Sequence, residues 1–117
     1  MTEKVEVELD IFSGRPNPAW WLSQTDAAGF LDRLAALAET APNEPEMPLG
    51  YRGFVVRWMQ GRDASDLRVR NGTVRLARAG RVAWYGDPGR AMERSLLESG
   101  RARLTDDLYR LVLEDWR

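Results

Sequence analysis

The sequence predicts an α+β fold: one antiparallel sheet of about five strands packed against three helices, in the order strand, helix, four strands, helix, helix. Three observations carry that reading. Residues 4–12 alternate apolar and charged side chains; residues 67–76 turn back on themselves around Asn71-Gly72; apolar residues recur at helical spacing in residues 24–40 and again in the last third of the chain. Strands joined by hairpins, with helices early and late, pack as a sheet covered by helices. The first strand stands apart from the others and is open to a parallel pairing with a central one. No repeat or boundary divides residues 1–117, so a single domain is expected, long enough to bury roughly two-thirds of its unfolded surface.

In the first strand Val5, Val7, Leu9 and Ile11 form the apolar side, with Lys4, Glu6, Glu8 and Asp10 opposite. Period-two alternation marks a half-buried strand. Ser23 can cap a helix over residues 24–40, with Ala27, Phe30, Leu31, Leu34, Leu37 and Ala38 facing inward. Gly29 inside it costs ~1 kcal/mol against alanine and suggests a close approach. Residues 41–50 hold three prolines and read as a lid or a crossover. Residues 51–59 form the next strand, with Arg52, Phe54, Val56 and Trp58 on one side. Residues 60–66 read as a polar turn, and Asp63 and Asp66 lack the spacing of a calcium loop.

Asn-Gly favours a type I′ turn, so Val69 should face Val74 and Leu67 face Leu76. On the other side Arg70 meets Thr73 and Arg68 meets Arg75. Like charges placed opposite each other call for an acid nearby, either the Glu6, Glu8 and Asp10 face or an anionic ligand. Residues 81–85 make the last strand after a turn at Ala79-Gly80. Asp87 and Pro88 start a helix whose apolar side is Met92, Leu96 and Leu97, closed by Gly100. Thr105 opens the last helix, with Leu108, Leu111, Val112 and Trp116 as its buried stripe.

Composition narrows the chemistry. The chain has no cysteine and no histidine, which removes disulfides, thiolate or imidazole metal sites and His-dependent nucleophiles. No metal or cofactor is expected. A net charge of −1 argues against a nucleic-acid binder, although arginines with aromatics are the parts such a protein uses. No apolar run reaches the length of a membrane span, and residues 2–7 lack the apolar core of a signal peptide, so a soluble cytoplasmic protein is expected. The only acid–base residues are carboxylates. Glu8 and Asp10, on one side of the first strand, are the candidates if the protein is an enzyme; a non-catalytic role is favoured, because alternating acids on a strand are ordinarily solvated surface.

The densest stretch follows the first strand. Pro16 and Pro18 fix their own φ and force Arg15 and Asn17 out of the helical region, and Gly14 permits a positive φ. Trp20 and Trp21 come next. Adjacent residues of an extended chain point to opposite faces, so one indole should enter the core and the other stay outside. Leu9-Asp10-Ile11-Phe12-Ser13-Gly14-Arg15-Pro16-Asn17-Pro18 with a following Trp, together with Gly50-Tyr51-Arg52-Gly53-Phe54, resembles a loose group of small bacterial proteins, mostly uncharacterised. Its nearest functional association is with accessory proteins of ribosomal-peptide natural-product clusters of the crocagin type. That resemblance implies binding of a precursor peptide near Arg15, Asn17 and Trp20, without catalysis. The reading is a peptide-binding protein that uses the Ser13–Trp21 loop and a sheet edge, with Arg15, Asn17, Trp20, Trp21, Arg68 and Arg75 as contacts. A peptide or protein partner follows, and a homodimer through the same edge is compatible with it.

Overall fold

A computed structural model of the chain describes residues 4–44 and 48–117. The lid or crossover expected at residues 41–50 falls in part on residues 45–47, outside the described residues. Among the described residues one antiparallel sheet carries three helices, so the fold is α+β. The strands are β1 (Glu6–Leu9), β2 (Ala19–Trp21), β3 (Phe54–Gln60), β4 (Asp63–Arg70), β5 (Thr73–Arg78) and β6 (Arg81–Gly86); the helices are α1 (Gln24–Ala35), α2 (Ala91–Ser99) and α3 (Asp106–Asp115). Spatial order is β2-β1-β3-β4-β5-β6.

The sheet thus has six strands, slightly more than expected. The additional one is β2, hidden in sequence by Pro16 and Pro18, which precede it. A proline lacks the N–H donor but keeps its carbonyl, and Leu9 donates to the Pro18 carbonyl at 2.9 Å while Leu22 donates to Val5. β1 does not pair in parallel with any strand. It lies antiparallel to both β2 and β3, because β2 reverses the chain at once and α1 carries it across β1 to the other side.

The sheet has an inner and an outer face. Val5, Val7, Leu9 and Ile11 point inward as their alternation requires, and all are buried. Across the ladders they continue into Trp20, Phe54, Val56, Leu67, Val69, Val74 and Leu76. Ala27 and Phe30 of α1, Met92, Leu96 and Leu97 of α2 and Val112 of α3 close over this face as one core. Trp20 meets Phe54 edge-on at 6.4 Å and Phe30 meets Trp58 at 5.4 Å, arrangements worth ~0.5–1.5 kcal/mol each beyond area burial.

The hairpin takes the expected register: Val69 faces Val74, Leu67 faces Leu76, Arg70 faces Thr73 and Arg68 faces Arg75. Asn71 and Gly72 have φ of 50° and 84°, the left-handed pair of a type I′ turn. β4 begins at Asp63, so residues 63–66 are strand and not turn; Gly61, at φ 62°, makes the reversal tight enough for Asp63 to pair with Gln60.

Helix ends differ from expectation where tertiary partners compete for the backbone. Ser23 caps α1, its Oγ accepting from the Asp26 N–H at 3.0 Å. The helix stops at Ala35 and not at Thr40, since Gly86 donates to the Ala38 carbonyl and Thr40 donates to that of Trp84. Residues 38–40 therefore close half of the β6 edge. Gly29 makes no close approach: a Cβ there meets nothing within 4 Å. Asp87 acts across a 3₁₀ turn, accepting from the N–H groups of Met92 at 2.8 Å and Glu93 at 3.1 Å, and so places its charge at the positive end of α2. On α3, Leu111 is 44% exposed; Val112, not Leu111, is the buried member of the stripe.

Candidate functional site

Apart from Trp20, the residues singled out above lie on the outer side of the sheet in two groups, one at its β2 end and one on β4 and β5. Asn17 organises the loop. Its Oδ1 accepts from the N–H groups of Ile11 at 3.0 Å and Phe12 at 2.7 Å, and its Nδ2 donates to Glu8 at 2.8 Å and Asp10 at 3.4 Å. Arg52, arriving from the far end of the long crossover, donates to Asp10 at 2.9 Å and to the Phe12 carbonyl at 2.8 Å. Asn17 thus holds the loop and has little left for a ligand. Arg15 remains exposed at the loop's tip, its guanidinium 3.7 Å from the Phe12 ring centroid, with Gly14 at φ 81° providing the bend.

The two tryptophans separate as adjacent strand residues must. Trp20 is buried in the core, with Nε1 donating to the Ser99 Oγ at 3.0 Å. Trp21 is 64% exposed on the outer face. It is the indole able to meet a ligand. Beside it Lys4, Arg57, Met59 and Ala64 rim an open depression of about 350 Å³. The backbone of β2 is also available. The Leu9–Pro18 and Val5–Leu22 pairs are hydrogen-bonded, so by antiparallel alternation Ala19 and Trp21 turn their N–H and C=O groups away from β1, toward the open edge.

Arg68 and Arg75 share this face but lie three and four strands from β2, roughly 15–20 Å from Trp21 at the usual strand spacing. Arg68 has the internal acid expected of it, Asp10, at 3.5 Å. Arg75 makes no ion pair among the described residues and sits 5.8 Å from the Trp84 ring centroid. Trp84 is buried although it faces outward, because residues 41–44 cross in front of it: Asn43 reaches the Thr73 hydroxyl at 3.4 Å and Glu44 lines the same hollow. Sequence reasoning missed Arg52 and Trp84. Neither carries a local signal, since both act through chain segments that only the fold brings together.

The first strand's acids are engaged internally. Arg57 pairs with Glu8 at 2.9 Å, Asp66 at 3.5 Å and Glu6 at 3.9 Å. Partial burial pushes the Glu8 carboxyl up, but hydrogen bonds from Arg57 and Asn17 and the charges of Arg57 and Arg68 outweigh it, leaving the group below the ordinary carboxylate value. A carboxyl held ionised in this way is a poor proton donor. Among the described residues no cluster of acids has the arrangement of a metal site, and no helix is long and apolar enough to cross a membrane. Compared with protein-family models, with curated proteins and with solved structures, the chain gives no significant match.

Proposed function

We propose that this is a non-catalytic binding protein that takes up an extended peptide along the open edge of β2, with Trp21 as its main contact and Arg15 beside it. The exposure of Trp21 next to an unpaired strand edge carries the reading. A large indole turned away from the core gives no stability to the fold it leaves, and Trp and Arg are the commonest hot-spot residues of interfaces. An added strand pairs with the outward backbone groups of Ala19 and Trp21 and sends alternate side chains over the outer face. The Asn17 and Arg52 hydrogen bonds set the loop's shape in advance, which lowers the entropy lost on binding. The loose group of small bacterial proteins that residues 9–18 resemble has its nearest functional association with precursor-binding accessory proteins, which supports a biosynthetic precursor as the peptide, met in the cytoplasm.

The test uses peptides selected from a random display library on the wild-type protein. Trp21→Ala should weaken their binding roughly 30-fold, the equivalent of ~2 kcal/mol at an interface hot spot, while leaving the thermal midpoint unchanged. Equal affinity for the variant, or a selection that returns no binder, overturns the proposal.

A further inference from the structure

On the β4–β5 part of the outer face, we infer a site for a single carboxylate, held between Arg68 and Arg75 against Trp84. Three observations converge there. The two arginines stand directly opposite each other in the ladder, an arrangement that like charges disfavour unless an anion lies between them. Their internal neutralisation is incomplete: Asp10 reaches Arg68 at 3.5 Å but is already bonded to Arg52 and Asn17, and Arg75 has no ion pair among the described residues. The hollow they share is lined also by Arg52, Arg70, Thr73 and Trp84, with Arg70 itself paired to Asp115 of α3 at 3.8 Å.

The hollow measures about 50 Å³, room for one small anionic group and not for a whole nucleotide. A guanidinium fork matches the planar, two-oxygen geometry of a carboxylate, and that of Arg75 lies 5.8 Å from the Trp84 ring centroid. Trp84 supplies an apolar wall for the methylene behind it. Glu44 also lines the hollow and makes no ion pair among the described residues. It stands as a competing internal carboxylate, and its removal should favour a ligand. The carboxylate belongs either to an acidic side chain or to a peptide's C-terminus. Since the site lies roughly 15–20 Å across the strands from Trp21, it does not depend on peptide uptake at β2.

The experiment follows amide, Arg Nε–H and indole signals of the full chain by NMR during titration with acetyl-glutamate amide, acetyl-glycine and the neutral acetyl-glutamine amide. The first two should shift the Arg68, Arg75 and Trp84 signals saturably and the third should not. Tighter binding of acetyl-glutamate amide identifies a side-chain carboxylate as the ligand; tighter binding of acetyl-glycine identifies a C-terminus. Arg75→Met should weaken the preferred probe roughly tenfold or more, as loss of a charge-assisted hydrogen bond does. Glu44→Gln, a change at an exposed residue, should tighten binding and keeps the test decisive if the arginine variant fails to fold. The inference is overturned by equal shifts with the neutral probe, by no saturable shift with either carboxylate, by inorganic phosphate binding more tightly than both, or by weaker binding to Glu44→Gln.

Discussion

Gly100 carries no side chain because the Trp20 indole occupies the space: a Cβ there would stand 2.3 Å from the ring's Cζ2. Its φ is −99°, so contact and not backbone freedom requires the glycine. Gly100→Ala should destabilise the protein by about 1–3 kcal/mol, as overpacking does. Gly29 is the opposite case, solvent-facing within α1 with open space around it, and Gly29→Ala should stabilise by about 1 kcal/mol. Chemical denaturation of the two variants measures both; a Gly100→Ala protein as stable as wild type would mean the indole shifts freely. At this scale the sequence shows chemistry better than proximity. The strand rule separates Trp20 from Trp21 into one inner and one outer ring, and alternation alone leaves open which is which. Glu93 carries a sequence signal of its burial: at i, i+3 and i+4 it shares a helix face with Leu96 and Leu97, and it is fully buried with them.

That buried acid joins three elements. Glu93 on α2 accepts from the Asn71 N–H of the β4–β5 turn at 2.9 Å and from the Tyr51 hydroxyl ahead of β3, with Arg90 at 3.7 Å. Burial raises its pKa above the ordinary carboxylate value of 4.5, against the lowering effect of these bonds and the Arg90 charge. The folded state then binds the proton more tightly than the unfolded one. Stability from this group is present below the unfolded value and is lost as pH rises through the native one. Glu93→Gln does not ionise, so its stability relative to wild type should improve from below pH 4.5 toward neutrality. Urea titrations of both proteins across that range decide it, and parallel curves would refute it. Elements defined by their own residues were legible: β1 by its alternation, the hairpin by Asn71-Gly72, the helix starts by Ser23 and Thr105. Elements defined by distant partners were not. β2 exists because β1 accepts a proline-flanked strand, and α1 ends early because β6 takes residues 38–40.

Across the whole molecule the helices cover one face of the sheet and leave the other to arginines, acids and the edge tryptophan. The acids of residues 6–10 meet the arginines of β3 and β4, so the outer face is an electrostatic ladder whose charges mostly cancel around Arg57 and Asp10, with Lys4 and Arg75 making no ion pair among the described residues. Raising salt should therefore change fold stability little, since exposed pairs contribute only ~0–1 kcal/mol each, and should weaken a carboxylate at Arg75 much more. A comparison of melting and ligand titration in low and high salt separates the two. The position of Arg52 has a further consequence, in time. β3 to β6 are consecutive hairpins and can assemble from neighbours, as can β1 and β2, whereas the other side of β1 waits for β3, more than forty residues downstream. Arg52 sits just ahead of that partner and holds both Asp10 and the Phe12 carbonyl. The Asn17 bonds of the loop at residues 10–18 lie within residues 8–17, but those from Arg52 form only after residue 52 has left the ribosome. The Arg52 contribution to the loop's shape is then a property of the longer chain, absent from a nascent N-terminal half.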